Sequence, residues 1–381
     1  MLYMDHSATT PPYDEVVDTV AQVMKRFYGN PSSLHGLGVE AHKLVQQARS
    51  VIAKAMNVKP EEIVFTSGGT ESNNLAIKGA LRAYRNRGRH LITTAVEHAS
   101  VYECCRQLER EGYSVTYLPV DRTGAVRAGD VRDAIREDTV LVSVMHVNNE
   151  VGRIQPIGEI GSLLREYPRI LFHVDAVQSI GKLKVSPAEL GIDLLSCSAH
   201  KIRGPKGMGF LYRRAPVRLE PLLAGGGQEA GLRSGTENVP LIVGMAKAVR
   251  MAVERMAENT AHLYRLRARL IARISAMPGI TVNGSETMEH MAPHIVNISV
   301  PGKKPEVIVH ALEQHGIYIS TRSACASGDD RPSRVLTAMG LDPARASSGL
   351  RISLSADHTE SDIDFFCDTL QKVLDPSTLP V

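Results

Sequence analysis

The stretch with the clearest chemical potential is residues 198–212, SAHKIRGPKGMGFLY. The apolar run 192–198 suits a buried strand, Gly204, Pro205 and Gly207 force a turn, and 209–212 suits a second strand. Lys201 therefore sits where a strand hands over to a loop. On its own it would read as an ordinary solvated cation. Arg203 and Lys206 lie close in sequence, and a nearby cation favours the neutral amine. A neutral amine is the form that condenses with a carbonyl. Ser198 and His200 could add hydrogen-bond donors for a phosphate.

Other polar residues occupy comparable places. Ser67-Gly68-Gly69-Thr70 follows a predicted strand at 62–66 and opens a predicted helix over about 71–84. Strand, glycine turn and helix start bring free N–H groups and a positive dipole end to one point, an anion site that the Thr70 hydroxyl can join. A plain capped turn fits the same residues equally well. The stretch is neither a Walker A sequence nor a dinucleotide fingerprint, so a nucleotide is not indicated. His98 follows a predicted strand at 90–94, Asn149 follows one at 140–146, and Asp175 ends one at 169–175. Ligands of open parallel sheets bind outside the carboxyl ends of the strands. Thr70, His98, Asn149, Asp175 and Lys201 are all at or just after such ends, which predicts one shared crevice.

Cys325 lies in TRSACASGDDRPS, between a predicted strand at 317–320 and a predicted helix at 334–339. Its neighbours are small or polar, the composition of an exposed loop. Cysteine is usually buried, so one placed here invites a chemical reading. Cys104 and Cys105 in a predicted helix, Cys197 in a strand, and Cys367 in IDFFCDTL read as packing thiols. Arg351 opens a predicted strand at 350–354; a solvent-facing charge is the default, though its guanidinium could hold a carboxylate by a bidentate pair.

The elements needed to position these residues are legible in outline. Helices are predicted at 14–26, 40–56, 99–112, 131–136 and, as one long stretch, 240–274, with further strands at 114–119, 192–198 and 209–212. Beyond 290 the pattern alternates: 295–300, 306–315, 317–320, 334–339, 350–354 and 360–374. This predicts an α/β protein with a mainly parallel sheet in a large domain (14–255) and a smaller α+β domain (1–13 and 256–381). With 381 residues and 43% hydrophobic content, a large core is available. A net charge of +3, from 44 basic and 41 acidic residues, gives no argument for nucleic acid or a membrane surface. The opening MLYMDHSATT has no secretory character and no apolar run is long enough to span a bilayer. Five cysteines without a C-x-x-C suggest neither a disulfide scaffold nor zinc, and fit a reducing, cytoplasmic setting.

The motifs TSGGTESNN, VEHASV, HVNNEVG, HVDAVQSIGK, SAHKIRGPKG, RSGTEN and SACAS occur in one order along the chain. Over nearly its whole length the sequence resembles class V aminotransferase-fold enzymes that use pyridoxal phosphate, most closely the NifS/IscS-type cysteine desulfurases. The resemblance implies a fold-type-I pyridoxal-phosphate enzyme. It implies that Lys201 bears the cofactor, that Gly69, Thr70, Ser198 and His200 hold its phosphate, and that Asp175 meets the pyridine nitrogen. Asn149 and Gln178 would also touch the cofactor, His98 would stack on its ring and move protons, and Thr236 would reach the phosphate of a partner subunit in a homodimer. Asn149 and Arg351 would bind the substrate L-cysteine. Cys325 would take its sulfur as a persulfide, leaving L-alanine, and pass the sulfur to an acceptor protein for iron–sulfur cluster or thiolation chemistry. The alternatives are a selenocysteine lyase or an aminotransferase of the same fold, or a non-catalytic sulfur carrier; Cys325 argues against the aminotransferase. The sequence departs from the family pattern at Gly69 (an alanine elsewhere), Ala199 (often a glycine), Thr321-Arg322 (a Ser-Gly pair) and in its short ending, DPSTLPV.

Overall fold

Short apolar runs and amphipathic helices alternate along the chain, and the computed structural model describes residues 1–321 and 332–375. Strand β1 (Leu2–Tyr3) leads by extended chain to helices α1 (Asp14–Arg26) and α2 (Gly36–Met56). Then β2 (Ile63–Thr66) passes into α3 (Gly69–Ala83), β3 (His90–Thr94) into α4 (Ala99–Arg110), and β4 (Ser114–Leu118) into α5 (Ala128–Ala134). Next come β5 (Thr139–Met145), α6 (Ile157–Leu164), β6 (Leu171–Asp175), β7 (Leu194–Ser198) and β8 (Gly209–Arg213). Helices α7 (Val239–Glu254) and α8 (Met256–Ser275) precede β9 (Thr281–Asn283), β10 (Ile295–Ser299), α9 (Pro305–Glu313) and β11 (Ile317–Tyr318). The described chain closes with α10 (Arg334–Ala338), α11 (Pro343–Ser347), β12 (Gly349–Ser353) and α12 (Glu360–Leu374).

Seven strands form the main sheet in the order β2-β8-β7-β6-β5-β3-β4. Five of them, β3 to β7, pair in parallel, while β8 runs antiparallel to both β7 and β2. Every residue of β2, β3, β5, β6 and β7 is buried, as a parallel sheet covered on both faces requires. The side chains alternate: Ile63 and Phe65 join Ala41, Val45 and Ile52 of α2 on one face, and Val64 joins Leu75 of α3 and Leu108 of α4 on the other. Full burial of each such aliphatic side chain is worth about 1.5–3 kcal/mol. Because β2 and the parallel strands share one direction, their carboxyl ends all reach the same edge.

A three-stranded antiparallel sheet, β12-β10-β9, packs with α8 and α12 around a separate core that includes Leu2 and Met4. Strand β1 pairs in parallel with β11, and single bridges join Asp5 to Ser353 and Ser320 to Arg351.

Three expectations need correction. The long helix over 240–274 is two helices that meet at Arg255 (φ −93°, ψ 0°), a bridge-region residue that ends one helical run and starts the next. The helix expected from residue 40 begins at Gly36, because the His35 side chain accepts from the Gly38 N–H and caps it. Helices α6 and α11 and strand β9 had no predicted counterpart; they have eight, five and three residues, too few for a periodicity to register. Among the described residues no helix is long and apolar enough to cross a membrane.

Candidate functional site

Five strand ends converge on a cavity of about 170 Å³ at the carboxyl edge of the main sheet. Gly69 and Thr70 enter it after β2, His98 after β3, Asn149 after β5, Asp175 and Gln178 from the end of β6, and Ser198, His200 and Lys201 after β7. Ser7 and Ala8 from the N-terminal segment and Arg351 from β12 complete the lining.

One end of the cavity suits an anion. Helix α3 starts at Gly69 with no side-chain cap, so its first N–H groups and its positive dipole end are available there. The turn is closely packed: a Cβ on Gly69 would come within 2.8 Å of the Val177 Cγ2 methyl, and one on Gly209 within 2.7 Å of Gly68 Cα. The turn is held in place from below, where Glu71 accepts from the Ser67 N–H at 2.8 Å and pairs with Arg233 at 2.9 Å.

Asp175 is oriented by two donors, the Val177 N–H at 3.0 Å and Asn73 Nδ2 at 2.8 Å. The same Asn73 nitrogen donates to Ser100 Oγ at 2.8 Å, and Ser100 approaches His98 Nδ1 through both Oγ (2.8 Å) and N–H (3.2 Å). Ser100 Oγ accepts from Asn73, so its own proton points to Nδ1. That nitrogen is therefore an acceptor, and the His98 proton sits on Nε2. Burial, aided by Lys201 and opposed by Asp175, pushes the His98 pKa below the ordinary imidazole range, so the ring is neutral.

Lys201 Nζ donates to the carbonyls of Ser7 and Ala8, the latter at 2.6 Å. Gln178 Nε2 donates to the same Ser7 carbonyl at 3.0 Å, and His200 Nδ1 lies 3.1 Å from Thr9 Oγ1, so the segment before α1 is tied down beside the amine. The cation anticipated from sequence at Arg203 is engaged elsewhere, on Asp357 and over the Tyr13 ring. The lysine that does meet this backbone is Lys182, whose Nζ donates to the Lys201 carbonyl at 3.0 Å and whose pKa burial lowers to about 8.

Arg351 is not solvent-facing. It is 1% exposed, with Nη1 donating to the Asn149 carbonyl at 3.0 Å and Nη2 to Asp5 Oδ1 at 2.9 Å. Its Nε and the Asn149 Oδ1 are buried without a partner among the described residues. Two such atoms on residues of one cavity wall, one a donor and one an acceptor, could be satisfied by a polar ligand.

Thr236 does not line this cavity. It lies in a separate one of about 240 Å³, with Ser67, Gly207 and Arg233. Cys325 lies outside the described residues. On either side of that stretch, Ser320 Oγ donates to Asp5 Oδ2 at 2.7 Å, Ser333 Oγ to Glu150 Oε2 at 2.6 Å, and the Arg334 guanidinium to the carbonyls of Ala95 and Glu97. Cys104, Cys105, Cys197 and Cys367 are buried, and burial raises the thiols of Cys104, Cys197 and Cys367 to about 12. They are packing residues. The sequence reading missed Asp5, Ser7, Ala8, Asn73 and Ser100. Asn73 lies inside TSGGTESNN, but nothing in that motif says which asparagine faces a carboxylate. Ser7 and Ala8 act through backbone carbonyls, which have no residue-type signature.

The aminotransferase class-V family model matches residues 2–366. The chain is similar to the cysteine desulfurase IscS of Clostridium botulinum, with 46% identity over 374 residues, covering 98% of this chain and 94% of that protein. Among solved structures it is similar to a NifS-like protein, with a TM-score of 0.92 and 40% identity, covering 99% of this chain and 100% of that one. It is also similar to a structure of SspA in complex with cysteine, with a TM-score of 0.81 and 37% identity, covering 94% and 100%.

Proposed function

This chain belongs to the aminotransferase class-V family, and from that premise we propose that it is a pyridoxal-phosphate-dependent cysteine desulfurase, which converts L-cysteine to L-alanine and transfers the sulfur. The observation that carries the reading is the composition of one cavity: a lysine, an oriented carboxylate, an uncapped helix N-terminus and a buried arginine. These groups fit the cofactor. Gly69, Thr70, Ser198 and His200 would hold its phosphate, Asp175 its pyridine nitrogen, Lys201 its aldehyde carbon, and Asn149 and Gln178 its remaining polar edge. When bound, pyridoxal phosphate supplies an electron sink for charge that develops on the substrate.

The chain's own residues supply the rest. Arg351 holds the substrate carboxylate with its unpartnered Nε and remaining N–H groups, beside Asn149. His98, whose Nδ1 is occupied by Ser100, would face the cofactor ring and moves a proton at Nε2. Lys201 is the second proton carrier. Cys325 as thiolate attacks the substrate sulfur: an S–S bond forms, the C–S bond breaks, and the carbon takes the electron pair and then a proton to give alanine. The persulfide on Cys325 then passes to a sulfur-acceptor protein. This chemistry needs Cys325 as a free thiol, which goes with a reducing cytoplasmic setting.

The working unit is a homodimer in which Thr236 serves the neighbour's phosphate site; its separation from the cavity of its own chain and the 98% exposure of Leu34 support this. Residues 14–255 make the cofactor-binding unit, and 1–13 with 256–381 the unit that carries the cysteine.

The test is incubation of the cofactor-loaded protein with L-cysteine. Alanine is released, and mass spectrometry finds one added sulfur on the Cys325 peptide. Cys325→Ser keeps the cofactor absorbance and makes no persulfide. Added sulfur on another cysteine, or normal turnover by Cys325→Ser, overturns the mechanism.

A further inference from the structure

Arg351 already has a carboxylate. Asp5 Oδ1 accepts from its Nη2 at 2.9 Å, and the two side chains are 16% and 1% exposed. Asp5 is not a mobile counter-ion. Its other oxygen accepts from Ser320 Oγ at 2.7 Å, its backbone bridges to Ser353, and its carbonyl accepts from the Tyr3 hydroxyl at 3.1 Å. Arg351 is equally fixed, by the bridge to Ser320 and by the Asn149 carbonyl at 3.0 Å. Each member of the pair is held from other directions as well, so a carboxylate arriving at this guanidinium would share it with the Asp5 anion.

We infer that Asp5 tunes the affinity of the site: by supplying Arg351 with a built-in carboxylate, it holds down the binding of the carboxylate that substrate and product share. The inference rests on the reading that Arg351 binds that carboxylate. Two like charges on one cation in a partly desolvated site repel, and that repulsion is felt by any carboxylate bound there. Cysteine and alanine present the same carboxylate, so holding it tightly would slow product departure without favouring the chemical step. Asp5 also meets the need of a buried guanidinium for a counter-charge while the site is empty.

The experiment titrates the cofactor-loaded enzyme with L-alanine and with ethylamine, which is L-alanine without its carboxylate, following heat or cofactor absorbance. Asp5→Asn keeps the shape and an acceptor oxygen for Nη2 but removes the charge. It binds L-alanine about tenfold more tightly, about 1.4 kcal/mol, and ethylamine within twofold of the parent. Unchanged or weaker L-alanine binding, or an equal shift for both ligands, overturns the inference. Asp5→Ser, which also removes the charge, gives the same sign and serves if the asparagine variant does not fold. Arg351→Gln is titrated in parallel. If it leaves L-alanine binding unchanged, the role given to Arg351 fails. If it weakens L-alanine binding while the Asp5 variants do not tighten it, the role of Asp5 alone fails.

Discussion

Asn73 donates from Nδ2 to Asp175 Oδ2 at 2.8 Å, and the same nitrogen reaches Ser100 Oγ at 2.8 Å. One amide therefore orients the carboxylate assigned to the pyridine nitrogen and, through Ser100, the imidazole assigned to the face of the ring. Asn73→Ala releases both. The expected result is a fall in kcat of at least tenfold, since a misplacement of about 1 Å can cost about 10²-fold. Folding is unchanged by circular dichroism, and equilibrium dialysis shows weaker cofactor retention.

Gly69 and Val177 are fitted to each other. A methyl at residue 69 would lie 2.8 Å from Val177 Cγ2, closer than packed carbons tolerate. Gly69→Ala alone should weaken cofactor affinity about tenfold by displacing the turn. Val177→Ala alone should have little effect, and the double variant should recover most of the loss. Additive losses in that cycle would show that the two positions are independent.

The carboxyl-edge placement of Lys201, His98, Asn149 and Asp175 was legible because each follows a buried strand, and strand ends are marked by loss of the apolar run. The antiparallel β8 was less so: its turn was visible, but pairing direction leaves no mark on composition. The burial of Arg351 leaves no mark in the sequence, because an arginine in a strand is by default a surface charge. Only the tertiary placement of Asp5 and the Asn149 carbonyl makes its burial tolerable. Lys182 escaped notice because its contact is with a backbone carbonyl, nineteen residues away in sequence.

Acid should destabilise the fold in a window set by buried histidines. His146 and His173 titrate at about 4 and about 3 in the folded protein because burial disfavours their charged forms. His173 also has both ring nitrogens occupied, by Ser143 at 2.8 Å and Ser196 at 3.0 Å. Unfolded, both take up protons from about pH 6.5 downward. The unfolded state then binds more protons, so stability falls as pH drops below 6.5, by roughly 1 kcal/mol per pH unit per histidine. Urea unfolding at pH 7.5 and pH 5.0 checks this; equal stability at the two would contradict it.

Subunit exchange tests where Thr236 acts. Lys201→Ala and Thr236→Ala subunits are each impaired as homodimers. If Thr236 serves the neighbour, a mixed dimer contains one site with both residues intact, and mixing restores activity towards half that of the parent per dimer. No gain on mixing, with exchange verified by native mass spectrometry, would place Thr236 in service of its own chain.

Lys201 is the centre of the account, and its competitors are close: Lys182 donates to the Lys201 carbonyl at 3.0 Å, and Lys206 follows five residues later. Borohydride reduction of the pyridoxal-phosphate-loaded protein, followed by peptide mapping, reads the attachment point directly. The pyridoxyl mass is expected on the Lys201 peptide alone, and is lost in Lys201→Ala. The same mass on Lys182 or Lys206, or its persistence in Lys201→Ala, would contradict it.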